Sequence, residues 1–296
     1  MKGVCKMARN MHKYEDLTPY EFDREKERSS IVYVAAGPLE YHEECNCLGT
    51  DPNKGYDWCL AVAEIAGGIV FPMLPIAPGG SKPHKSREEL RKAYSLPHFR
   101  AEYAPYFASL YPGMFFSRET CRMVYTELLE MLALELQFKM CVFVGSHGPA
   151  GRMLKDIIIE HSGEELRGPT SGVGAVVGTF MGMRVMTISS KDYNNAFLKE
   201  FNDANGIPKT FHGGLWESAL NYAIEPDYFQ PKYLDETKYP QHYGALPEDY
   251  VDNERPCKAE FRKFTPEYAQ KAREITVRNM AEDVMKNYAE IMQNEQ

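Results

Sequence analysis

The chain of 296 residues contains no long hydrophobic run. Its longest uncharged apolar stretches, IVYVAA at 31–36 and MCVFV at 140–144, fall far short of the roughly 20 residues a bilayer-crossing helix needs. A basic surplus is also missing: 34 Lys and Arg stand against 42 Asp and Glu, a formal charge of −8. With nothing to displace counterions from a phosphate backbone, nucleic acid is not an expected partner, and neither is a membrane. The seven cysteines are odd in number and scattered from Cys5 to Cys257, which excludes a regular disulfide framework. Cys45 and Cys47 form a CxC pair, but no second pair stands at finger-like spacing, so they read as small residues lining a loop. The opening MKGVCKMARNMHKYED lacks the apolar middle of a secretory signal, and a cytoplasmic location is expected.

What is present is an ordinary globular composition, 44% hydrophobic and 26% charged, without repeats or low-complexity tracts. Thr18 and Pro19 open a short helix in LTPYEFDRE. SSIVYVAAGP reads as a buried strand running into a turn, and DPNKGYDWCLAVAEIAGG as a helix stopped by Gly67-Gly68. GIVFPMLPIAPGG follows as a second short strand. Residues 117–137 form the clearest amphipathic helix, with Met123, Val124, Leu128, Met131 and Leu132 on one side. It feeds the strand FKMCVFVGSHG. GAVVGTFMGMRVMTISS offers more strand, HGGLWESALNYAI opens a helix, and TPEYAQKAREITVRNMAEDVMKNYAEIM closes the chain as a long one. Alternating strands and helices predict an α/β fold with a mostly parallel sheet, in one domain over 1–296. An insertion near 85–108 and a C-terminal helical extension near 265–296 mark its departures from regularity.

In such sheets, ligands bind beyond the carboxyl ends of the strands. There GPLEYHEECNCLGTD places Glu40, His42 and Asp51 directly after IVYVAA, and GSHG presents His147 after the next long strand. Carboxylates and imidazoles leaving buried strands are costly unless paired, hydrogen-bonded or bound to metal. With His212 and Glu217 at a helix start, this is an oxygen and nitrogen donor set suited to zinc, manganese or iron.

GPLEYHEECNCLGTD resembles the GSxEqHGpHLPLGTD motif of the creatininase-like amidohydrolases, in register at Glu40, His42, Leu48, Gly49, Thr50 and Asp51. PIAPGGSKPH is similar to that family's PxpyGxSxeH and aligns Ser81 and His84. GSHGPAG is similar to its NgHGGN segment but lacks both asparagines, and HGGLWES corresponds to its HGGxxET, aligning His212, Gly214, Glu217 and Ser218. The resemblance spans roughly residues 15–230 and implies a three-layer αβα sandwich carrying a binuclear metal centre that opens C–N bonds in small amides and rings.

Carried over by position, Glu40, Asp51 and His147 look like ligands of one ion. His42 would serve a second, with Asp51 bridging. The glutamate that completes the second site in some members is replaced here by Pro149, and Glu217 is the substitute candidate. His212 resembles the group that protonates a leaving group, so His212 and Glu217 form the expected catalytic pair. Ser81 and His84 are candidate substrate contacts, as is Trp216, which reads first as a core residue. The resemblance therefore implies a hydrolase in which one or two divalent ions per chain, zinc first with manganese or iron as alternatives, carry a hydroxide to a small cyclic substrate. A cyclic keto-polyol such as a keto-inositol, cleaved at C–C by hydrolysis or by a lyase reaction, is the alternative, favoured by the polar Glu43, Glu44 and Asn46. A non-catalytic metal-binding relative is the other. A closed homo-oligomer such as a hexamer is the expected assembly.

Overall fold

The computed structural model of the chain describes residues 9–40, 42, 45–79, 114–162, 166–168, 175–189, 193, 199–201, 203–204, 213–233 and 264–294. The insertion near 85–108, together with Ser81, His84, Glu43, Glu44 and His212, lies outside the described residues.

Helix α1 (Pro19–Arg28) begins as its sequence dictates. The Thr18 hydroxyl accepts from the Glu21 N–H while the Glu21 carboxylate accepts from the Thr18 N–H, and Pro19 occupies the first turn. Strand β1 (Ile31–Ala36) follows, fully buried along its length. Ile31, Tyr33 and Ala35 pack to one side of the sheet, and Val32, Val34 and Ala36 to the other. That is why the run has no polar alternation: both faces are covered. Helix α2 (Thr50–Ala66) ends at Gly67, whose φ of 78° few other residues adopt, and hands over to the two-residue strand β2 (Ile69–Val70).

Helix α3 (Arg118–Glu130), capped by the Ser117 hydroxyl, continues through a π-helical turn at Met131–Glu135 into strand β3 (Met140–Gly145). Helix α4 (Gly148–Ser162), which the sequence reading does not anticipate, leads to strands β4 (Val176–Phe180) and β5 (Met183–Ser189). Met181 and Gly182 both have positive φ, the backbone twist that joins a tight hairpin. Helices α5 (Leu215–Ile224) and α6 (Pro266–Asn294) complete the set.

The five strands run in the order β2-β1-β3-β5-β4, parallel except for the antiparallel edge pair β4 and β5. On one face α2, α5 and α6 bury Trp58, Val62, Leu215, Leu220, Met280 and Val284 against the sheet. On the other, α3 and α4 supply Tyr125, Leu129, Met153, Leu154, Ile157 and Ile158. This is the expected three-layer αβα arrangement. The C-terminal helix belongs to the core, since Ala269, Ala272, Met280, Ala281 and Val284 are buried within it.

The chain leaves β1 towards β2 on one side and returns to place β3 on the other. The sheet order therefore reverses between β1 and β3, where α/β proteins form their binding crevice.

Candidate metal centre

Ala36 and Gly145, the last residues of β1 and β3, are register partners, so the two segments that follow emerge side by side. Gly37 permits the tight meeting there. A Cβ at that position would lie 2.8 Å from the Ser146 hydroxyl and 3.0 Å from the Asp51 Cβ. The β1 segment loops through Glu40 and His42, pinned where the Glu40 N–H donates to the Leu48 carbonyl at 3.0 Å. The loop enters α2, whose first turn carries Asp51, a favourable place for a carboxylate at the positive end of a helix. His147 follows β3.

These four side chains converge in the interior. Glu40, His42 and Asp51 are each 1% exposed, and one donor atom from each lies within 4.8 Å of the others. His147 Nδ1 approaches Asp51 Oδ2 at 3.0 Å and Glu40 Oε2 at 3.1 Å. On the other side, His42 Nε2 is 3.5 Å from the same Asp51 oxygen. His42 Nδ1 faces the Glu40 carbonyl at 3.1 Å; as the donor there, it leaves Nε2 directed at Asp51 and Glu217.

Burial alone would lower the proton affinity of His42, but Asp51, Glu217 and Glu40 outweigh it and raise its pKa to about 9. His147 is likewise lowered by burial and raised further by Glu40 and Asp51, to about 10. Burial would raise Asp51, yet the charges of His42 and Lys54 and the hydrogen bond from His147 hold it well below the usual carboxylate range. Without another cation, the site gathers protons to balance its carboxylates.

The donor set fits a divalent ion. It combines carboxylates and imidazoles, the mixture that suits zinc, manganese or iron. Glu40 Oε2, despite its approach to His147, makes no aligned hydrogen bond, and His147 Nε2 has no partner among the described residues although both atoms are buried.

Glu217, at the start of α5, joins this group from the far side. Its Oε2 accepts from the Gly213 N–H at 2.8 Å and lies 3.8 Å from His42 Nε2, while Oε1 accepts from Lys54 Nζ at 2.7 Å. Lys54 is absent from the sequence reading. It is fully buried, one turn beyond Asp51 on α2, and also donates to Asp51 Oδ1 at 3.2 Å. The two carboxylates outweigh its burial and raise its pKa. Trp216, a candidate pocket wall, is 4% exposed in the core cluster, with its ring centroid 5.1 Å from Lys54 Nζ. It covers the ammonium, a cation–π contact inside the protein.

Asn46 corrects an expectation. As a residue of a polar substrate-facing loop it would be exposed, yet it is buried and turned inward. Its amide donates to the His42 carbonyl at 2.8 Å, Ser218 Oγ at 2.9 Å and the Gly213 carbonyl at 3.1 Å. Asn221 donates to Asn46 Oδ1 at 2.9 Å and to Thr50 Oγ1 at 2.7 Å. These side chains bolt the Glu40–His42 loop to α5 and α2. Cys45 is buried in the core, and burial raises the Cys47 thiol, so Cys47 is not poised as a thiolate ligand.

Solved structures share this architecture. Creatinine amidohydrolase (creatininase) superimposes with a TM-score of 0.62 at 15% identity, over 94% of this chain and 98% of that one. A manganese creatininase gives 0.62, 15%, 94% and 98%, and a mutant creatininase of zinc–zinc type gives 0.62, 15%, 95% and 99%. The chain has the creatininase fold. No protein-family model matches the sequence, and no curated protein matches it either. At this identity the likeness shows the fold, and the function rests on the site.

Proposed function

We propose that this chain is a metal-dependent hydrolase that opens a small cyclic substrate, with a C–N amide as the scissile bond. The observation that carries the reading is the convergence of buried Glu40, His42, Asp51 and His147 at the point where the sheet order reverses. The creatininase fold supports it.

Glu40, Asp51 and His147 would hold the ion. A divalent cation there supplies a Lewis acid for the substrate carbonyl and lowers the pKa of water. The chain's own groups do the rest. His42, oriented through its Nδ1, keeps Nε2 between Asp51 and Glu217. Glu217 fixes the Gly213 N–H, next to His212, which we assign as the proton donor to the leaving nitrogen. The Asn46–Ser218–Asn221 network keeps the loop and α5 in register, so that the groups need not be reorganised during reaction.

The test is a screen of zinc- or manganese-loaded protein against lactams, cyclic ureides and other cyclic amides in 18O-labelled water, beside Asp51→Ala. The expected result is metal-dependent opening with one solvent oxygen in the product carboxylate, lost in the variant together with bound metal. Turnover of a cyclic keto-polyol alone would move the scissile bond to carbon–carbon. Metal-loaded, folded protein that opens no cyclic compound would overturn the assignment.

A further inference from the structure

We propose that Lys54 takes the place of a second metal ion, so that the centre holds one divalent cation and one protein ammonium. This rests on the metal-dependent reading above and concerns the donors that reading leaves for another ion: His42, Asp51 and Glu217.

Two of those three already close on Lys54 Nζ, Asp51 through Oδ1 at 3.2 Å and Glu217 through Oε1 at 2.7 Å. The remaining Glu217 oxygen is committed to the Gly213 N–H. Lys54 is no surface lysine able to swing aside. It is fully buried, and its ammonium lies against the face of Trp216 within the layer formed by α2, α5 and α6. To admit an ion at this position the chain would have to push a buried ammonium out of both contacts into apolar packing, which is strongly unfavourable.

Charge leads to the same count. Glu40, Asp51 and Glu217 bring three negative charges, and Lys54 returns one positive charge. Ligating imidazoles are neutral, so two negative charges remain. One divalent ion balances them. A second would leave a buried excess of two positive charges beside an ammonium that cannot reach water. In the zinc–zinc creatininase of similar fold, the second charge is an ion; here the side chain of α2 supplies it.

The experiment counts metal. Full-length protein is saturated with zinc, and separately with manganese, freed of excess ion, and measured by elemental analysis and native mass spectrometry. Circular dichroism checks the fold of each variant. Wild type should hold one ion per chain. Lys54→Met and Lys54→Gln, which free both carboxylate oxygens and remove the positive charge, should hold two. Lys54→Arg, which keeps the charge, should stay at one. Two ions in wild type, or one in folded Lys54→Met and Lys54→Gln, would overturn the inference and leave the metal-dependent reading intact. No ion in folded wild type would overturn that reading, and this inference with it. If neither neutral variant folds, the wild-type count decides alone.

Discussion

Replacing Asp51 by asparagine tests the electrostatics of the cluster without opening a cavity, because the side chains have nearly the same shape. In metal-free protein Asp51 faces His147 at 3.0 Å, Lys54 at 3.2 Å and His42 at 3.5 Å. With folded pKa values of about 10 for His147 and about 9 for His42, against 6.5 for an ordinary imidazole, protonation at pH 7.5 adds roughly 3 and 2 kcal/mol to stability. Asp51 shares that stabilisation with Glu40 and Glu217, so its loss should cost about 3 kcal/mol, consistent with breaking a buried ion pair. In a chain of this size that is a midpoint drop of roughly 5 °C. Because both imidazoles bind protons more tightly when folded, their contribution is complete below pH 6.5 and disappears as pH rises through 9 and 10. Urea unfolding of chelator-treated wild type and Asp51→Asn at pH 7.5 and pH 10 checks this. The gap between them should narrow at the higher pH, with wild type losing most of the difference. An Asp51→Asn protein as stable as wild type at pH 7.5, or a wild type indifferent to pH across this range, would refute the reasoning.

The same proton affinity has a binding consequence. An ion ligated by an imidazole must displace its proton, so zinc binding at pH 7.5 should release at least one proton per chain. Calorimetry in buffers of different ionisation enthalpy reads this directly, and a buffer-independent heat would count against His147 as a ligand. Asn46→Ala should destabilise the protein by about 1–3 kcal/mol in denaturant unfolding, since it removes one of the two partners of the buried Asn221 amide and the donor to the His42 carbonyl, Ser218 Oγ and the Gly213 carbonyl. It should also weaken zinc binding by unfastening the His42 carbonyl. A change below about 0.5 kcal/mol would show that the network is not structural.

Much of the fold is legible in the sequence because local signals agree with the final packing. The capping box at Thr18, the uncharged run of β1, the paired glycines after α2 and the helical spacing of apolar residues in α3 each point to the observed element, although α3 buries Cys121, Tyr125, Leu128 and Leu129 and leaves Met123 of the expected stripe exposed. Helix α4 is different. It opens on Gly148, Pro149 and Gly151 and contains the β-branched run Ile157–Ile158–Ile159, both poor helix formers. Tertiary packing overrides propensity there. Gly151 fits so closely against β3 that a Cβ on Gly145 would come within 2.4 Å of it, and Met153, Leu154, Ile157 and Ile158 fill the layer beneath. The antiparallel edge formed by β4 is equally hard to foresee, since its only local mark is the Met181-Gly182 turn.

The candidate site divides along the same line. Glu40, His42 and His147 are readable because they come soon after strands whose ends the apolar pattern marks, and Asp51 because it opens the helix that the same loop runs into. Lys54 could have been suspected, since it stands three residues after Asp51 and must share its helical face. Yet a lysine one turn from an aspartate is ordinarily a solvated surface pair of little consequence. What changes its meaning is Glu217, 163 positions away, which α5 brings to 2.7 Å, and Trp216, which roofs the ammonium. A motif reports donors one at a time, whereas the number of ions a buried site can hold depends on the summed charge around it. That sum is set by tertiary packing, and here one lysine is enough to change it.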